Sequence, residues 1–231
     1  MTMLLRTLTL AGALTVSLAT AAGAADPPPD IESARTRCLE AVAKRFVTID
    51  ELQAKVTDAT ALTDSHEGQL EAELAGAESG LIALRPQIEV ATTGAELRDL
   101  CPKVANDYRV YVLEGPTVHL TIGGDTAVSA GDRLDEIANR LGGAIADAQA
   151  LGADVGDAEV LLAEMRTSIN TARTLASPVG EAVIPLTPAD YNAGTAQPVL
   201  ADAETDMLSA KTELRAAGDD ARAIVEILRA I

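Results

Sequence analysis

Apolar residues recur at three- and four-residue spacing along most of the chain. One series runs Val155, Ala158, Leu162, Met165, Ile169, Ala172, Ala176, Val179, Val183, and another runs Leu200, Ala203, Met207, Ala210, Leu214, Ala217, Ala221, Ile224, Leu228, Ile231. Each series falls on one stripe of an α-helix, and a stripe that narrow is buried by packing against other helices. The earlier segments carry similar series: Cys38, Val42, Ile49, Leu52, Val56, Ala59; then Leu70, Leu74, Ala77, Leu81, Leu84, Ile88; then Leu97, Cys101, Val104, Tyr108, Tyr111. A fourth series, Ala127, Ala130, Leu134, Ile137, Leu141, Ala144, Ala148, Leu151, follows. The pattern predicts an all-α protein of long antiparallel helices.

Punctuation between the stripes sets the boundaries. Asp30, after Pro27-Pro28-Pro29, is placed to cap a first helix reaching about residue 62, and Thr63-Asp64-Ser65 starts the second. Pro86 is expected to kink the second helix, and Thr93 with Glu96 forms a capping-box pattern opening the third. Gly152 stops the fourth helix, Asp154 caps the fifth, and Pro178 and Pro185 kink and end it. Thr187-Pro188-Ala189-Asp190 repeats the capping signature before the last helix. The stretch DYRVYVLEGPTVHLTIGGD, residues 107–125, reads locally as a β-hairpin around Gly115-Pro116 and globally as a kinked or restarted helix. Helical stripes on both flanks favour helix.

Six helical segments with short connections predict two tandem three-helix bundles, coiled-coil-like and spectrin-like in architecture: residues 25–115 and residues 116–231. In that register Cys38 and Cys101 come to the same level on neighbouring helices, so they are expected to form a disulfide.

Residues 1–24 add a compartment. Arg6, the apolar run from Leu8 to Leu18 and Ala22-Gly23-Ala24 have the order of a secretory signal peptide, so the mature chain is expected to be secreted, or extracytoplasmic, with no transmembrane segment. The formal net charge of −17 argues against nucleic acid and anionic membranes as partners. With no Trp, one Phe and three Tyr, aliphatic side chains do the packing, which disfavours a roomy aromatic-lined cavity.

Chemistry-bearing residues gather, in this register, at the waist between the two bundles. His66, Tyr108, Tyr111, His119 and Tyr191 are the candidate ligand-binding residues. His66, His119 and Asp107 are the candidate metal ligands, with Asp64 and Asp190 as further carboxylates. The plainer reading is that Tyr and His serve there as part-polar packing. Catalysis is not expected. Asp64-Ser65-His66 has triad residue types, but adjacent side chains at a helix start cannot form the nucleophile–base–orienter line, and Gly123-Gly124 lacks a phosphate-loop pattern. No cofactor is expected.

The stretches RCLEAVAKR (37–45), LTDSHEGQL (62–70), DYRVYVL (107–113) and LTPADYN (186–192) resemble a family of exported actinobacterial all-helical proteins of unassigned function. The resemblance spans most of the mature chain and implies a helical fold and an extracytoplasmic place. It implies no activity and no catalytic residue. Continuous narrow stripes, few aromatics and an acidic exterior lead to the expectation of a non-enzymatic helical spacer or protein-interaction module at the cell envelope, with an unknown protein or envelope partner. The alternative is a small-ligand or metal binder using the waist. Ala-rich seams also allow a homo-dimer.

Overall fold

The structure, a computed structural model, describes residues 30–230. The expected signal peptide, the triple proline and Ile231 lie outside the described residues. Among the described residues the fold is all-α, with no strand. Among the described residues no helix is long and apolar enough to cross a membrane. The helices are α1 (Ile31–Asp58), α2 (Asp64–Val90), α3 (Gly94–Asn106), α4 (Gly115–Ala150), α5 (Gly156–Ala176), α6 (Val179–Val183), α7 (Pro188–Ala193) and α8 (Ala196–Ala230), with a π-turn at Val110–Glu114 between α3 and α4.

The stripes explain the packing. All nine residues of the Val155-to-Val183 series are buried, along α5 and into α6. In α2, Leu70, Leu74, Ala77, Leu81, Leu84 and Ile88 are all buried and meet Cys38, Val42, Ile49, Leu52 and Val56 of α1 and Leu97 and Val104 of α3 in one core. A second core joins Ala138, Leu141 and Ile145 of α4 to Ala158, Leu162, Met165 and Ile169 of α5 and Ala217 and Ile224 of α8. Between the two, Ala127, Ala172, Ala176 and Ala210 form an alanine seam where α4, α5 and α8 meet. Small side chains let helices approach at the short end of the usual ~8–10 Å axial separation.

The structure corrects several expectations. The third helix ends at Asn106, so Tyr108 and Tyr111 leave its stripe. Arg109 takes a left-handed conformation (φ 43°), which breaks the helix there. Residues 107–125 are not a hairpin; the favoured helical reading holds in its restarted form, the π-turn leading directly into α4 with Pro116 in its first turn. The buried stripe of α4 runs Ala127, Gly131, Ala138, Leu141, Ile145, so Ala144 is exposed and Leu151 is 89% exposed. Gly131 rather than Ala130 faces α5, because the Arg173 side chain lies across it, 3.1 Å from where a Cβ would sit. The α2 helix reaches Val90 with Pro86 inside it, which agrees with the apolar series ending at Ile88. Asp30 makes no side-chain capping bond, whereas both capping boxes, Thr93/Glu96 and Thr187/Asp190, are present. The fifth helix starts after Val155, and Asp154 Oδ1 accepts from the Gly156 N–H at 3.3 Å.

Cys38 and Cys101 lie at disulfide distance, Cα to Cα 5.5 Å, and tie α1 to α3. Closing a loop of 63 residues by that bond is worth about 4 kcal/mol on the chain-entropy account. Reduction, or a Cys38→Ser/Cys101→Ser variant, is expected to lower the unfolding free energy by about that amount in urea titrations read by circular dichroism.

Candidate functional site

The polar and aromatic residues around the start of α4 are arranged differently from the sequence expectation. The turn that builds this arrangement is Asp107-Tyr108-Arg109. Arg109, held left-handed, donates from its guanidinium to Asn192 Oδ1, with Nε at 2.7 Å, and stacks over the Tyr191 ring at 5.2 Å. Asn192 Nδ2 donates back to the Asn106 carbonyl at 2.9 Å. The DYRVYVL and LTPADYN stretches therefore dock on one another. Tyr108 folds the other way and lies against Gly80 of α2, where a Cβ would come within 2.3 Å of the ring.

Beyond the turn, one face of the π-turn and α4 carries polar residues at helical spacing: Glu114, Thr117, Thr121 and Asp125. The first three are buried, at 8%, 2% and 0% exposure, and the Thr117 and Thr121 hydroxyls have no hydrogen-bond partner among the described residues. Asp125 is well partnered. Its carboxylate accepts from His66 Nδ1 at 2.9 Å and from the Thr63 N–H at 2.8 Å. Nε2 of the same imidazole lies 3.6 Å from Glu181, on α6. Gly180 makes this possible: a Cβ there would meet the imidazole at 2.6 Å. His66 thus ties α2 to α4 and α6.

Glu114 is the contrasting case. Neither of its carboxyl oxygens finds a donor among the described residues, and burial pushes its pKa up to about 7. Glu73 of α2 is pushed up to about 7 as well, by burial first and then by the charge of Glu114. Both acids open into a pocket of about 330 Å³, which Asp107 and Tyr108 line on one side and residues 184–188 on the other. Burial, and then Asp107, raises the Tyr108 phenol.

On another face of α4 a continuous groove runs between α1 and α8. Its floor repeats at helical spacing: Pro116, His119, Gly123, Thr126, Ala130, Arg133. It comprises three joined hollows of about 580, 610 and 870 Å³. The middle is apolar, with Leu120, Ala127, Met207, Leu208 and Leu214. The far end gathers Arg133, Lys211, Arg215 and Arg222 against Asp58 and Asp219. Arg222 pairs with Asp219 at 2.5 Å, whereas Arg133, Lys211 and Arg215 have no ion-pair partner among the described residues.

The residues named from sequence are therefore divided. His66 is buried and bridges α2 to α4 and α6. Tyr108 and Asp107 border the acidic pocket, and Tyr191 stacks on Arg109. His119 and Tyr111 line the groove, with Arg45 over the Tyr111 ring at 5.0 Å. Burial and the nearby Lys55 lower the His119 pKa. Asp190 is taken up by its capping box. The set His66, His119 and Asp107 does not come together, and among the described residues no group of three or more His, Cys, Asp or Glu side chains could hold a metal. His119 precedes Asp125, the partner of His66, by six residues, about 240° around the helix. Glu73, Glu114, Asp125, Glu181 and the groove cations were not singled out from sequence. The spacing of Glu114, Thr117, Thr121 and Asp125 was the available signal.

Comparison with protein-family models, with curated proteins and with solved structures finds no match to this chain.

The two ends of the polar face differ in what they do for stability. Asp125→Ala leaves a buried imidazole and a backbone N–H without their acceptor, and is expected to cost about 1–3 kcal/mol in thermal or urea unfolding. Glu114 and Glu73 have folded-state pKa values raised above the ordinary carboxyl value, so the folded state binds more protons than the unfolded one between about pH 4.5 and 7. Their contribution is full at the acid end and is lost as pH rises through about 7. The apparent Tm is expected to fall by several degrees, on the order of 5 °C, from about pH 5 to about pH 8, and Glu114→Gln is expected to flatten that slope.

Proposed function

We propose that this chain is a non-enzymatic, extracytoplasmic protein-interaction module, and that the groove along α4 receives an acidic amphipathic helix of a partner protein. In this reading the frame is two tandem three-helix bundles, 25–115 and 116–231. The cores centred on α1–α3 and on α4, α5 and α8 support that division, with Val118 of α4 and Ile184 reaching into the first. The leader-like residues 1–24 and the cysteine pair support the compartment.

The observation that carries the reading is the groove's sidedness. A chain of net charge −17 concentrates Arg133, Lys211, Arg215 and Arg222 at one end of a hollow whose middle is aliphatic. From Pro116 to Leu134 the floor extends ~27 Å, the length of a helix of ~18 residues. Its walls are themselves helices, so an inserted helix would pack ridge into groove and complete a fourth position beside α4 and α8. The α8 stripe is wider than its partners inside the fold use: Met207 and Leu214 are only partly buried and Leu208 is 68% exposed. Acidic flanks on the incoming helix would meet the cationic end.

A designed peptide of about 18 residues, with leucines at helical spacing and glutamates on one flank, tests this by fluorescence anisotropy. Saturable binding is expected, weakened by about tenfold or more by Leu208→Glu or by Lys211→Glu with Arg215→Glu, all positions outside the buried cores. Equal binding of a scrambled peptide, or of one carrying lysines in place of the glutamates, contradicts the reading.

A further inference from the structure

The pocket between α2, the π-turn and residues 184–188 shares no lining residue with the groove, and it has a chemistry of its own. Glu114 is 8% exposed, faces this hollow and has no donor among the described residues. Asp125, on the same face of the helix, shows what the fold does with a carboxylate it neutralises internally: it supplies His66 and the Thr63 N–H. Nothing comparable is supplied to Glu114. Its neighbour across the pocket is a second acid, Glu73, close enough to be felt electrostatically. Two carboxyls lining one small pocket with no donor from the protein are eased by holding protons, by water the pocket admits, or by a cation that enters between them.

The groups facing Glu114 are few and carry no positive charge. Glu73 comes from α2, Asp107 and Tyr108 from the turn after α3, and from the α6–α7 side come Ile184, Pro185, Leu186, Thr187 and Pro188. A volume of about 330 Å³ lies at the small end of ligand sites. The three carboxyls do not form a metal-ligand group. Two carboxylates from different elements suit a compact ammonium with three divergent donors better than a guanidinium, whose planar fork matches one carboxylate. Tyr108 and the prolines give an alkyl stem an apolar wall, and the ring offers a face to the charge.

We propose that this pocket binds an alkylammonium group, with Glu114 and Glu73 as its carboxylate partners and Tyr108 as its wall. The ammonium is that of a free aliphatic amine or of a lysine side chain on a partner. Its head takes the place of the missing donors. Binding is therefore linked to deprotonation of the acid pair: tight at about pH 8, where both carboxyls are ionised, and weak at about pH 5.5, where both hold protons.

Isothermal titration of the mature protein with cadaverine, and separately with Nα-acetyl-lysine N-methylamide, tests this. Saturable binding at about pH 8 is expected, reduced by about tenfold or more at about pH 5.5 and by about tenfold or more in Glu114→Gln. Glu73→Gln, at the half-buried and less enclosed acid, is expected to weaken binding by a smaller factor. Both substitutions remove charge from an enclosed site, so both variants are expected to fold, with far-ultraviolet circular dichroism and the unfolding midpoint as the check. Tighter binding of the lysine amide assigns the ammonium to a protein side chain, and tighter binding of cadaverine assigns it to a free amine. No saturation by either amine at millimolar concentration overturns the proposal. So does unchanged affinity in Glu114→Gln with its fold intact, or an equal response to calcium chloride.

Discussion

The reversal at Arg109 is the constraint on which the rest of the junction depends. A non-glycine residue in the left-handed region costs about 1–3 kcal/mol and persists only where its surroundings over-determine it. Here they do: Asn192 accepts from the guanidinium, Tyr191 supports its face, and Asn192 returns a bond to the Asn106 carbonyl. The strained turn ends α3, and the following π-turn, closed by the bond from the Gly115 N–H to the Val110 carbonyl, sets the rotation at which α4 begins. That rotation decides which residues of α4 face which neighbours. Segments more than 80 residues apart in sequence thus determine one another's geometry.

The consequence is a helix used on several sides. Near its start, Val118 and Ile122 of α4 join the core of α1, α2 and α3, while Leu120 joins α6 and α8. Thr117, Thr121 and Asp125 continue the polar face begun by Glu114, and His119 and Gly123 open onto the groove. Farther along, Ala138, Leu141 and Ile145 serve the core with α5 and α8. One long helix therefore shares in both cores, and the acidic pocket and the amphipathic groove are placed on different faces of the same rod. The polar face would be destabilising in an ordinary core. His66 and Asp125 satisfy one end of it, and the two glutamates leave the other end open to what enters the pocket.

Much of the fold is legible in the sequence because helical spacing is a strong signal wherever a stripe is narrow. The α2 and α5 series lie entirely in the interior, and the cysteine register follows from counting along three helices joined by short turns. Spacing misleads where small residues make it ambiguous. In α4, alanine and glycine recur so often from Ala127 to Ala150 that the buried stripe can be drawn one residue to either side, and only the Arg173 side chain over Gly131 settles it. Tyr108 and Tyr111 continue the apolar period of α3 past a helix end that has no glycine to mark it. The site is less legible still. The carboxylates that flank His66 in the fold, Asp125 and Glu181, come from segments about 60 and 115 residues away, so counting along the sequence does not bring them to it. The acids that matter in the pocket are hidden among 35 acidic residues, most of which face solvent.

Amide hydrogen exchange on Asn192→Ala tests the central claim most directly, because it reads the π-turn and the start of α4 separately from the distant cores. Asn192 lies in the α7 segment and contacts Arg109 and Asn106. If the left-handed turn is what sets α4 in place, protection falls in residues 110–121 while α5 and the far half of α8 keep theirs. Unchanged protection across residues 110–121 would contradict this: α4 would then find its rotation from core packing alone, and the turn at Arg109 would follow from the junction instead of setting it.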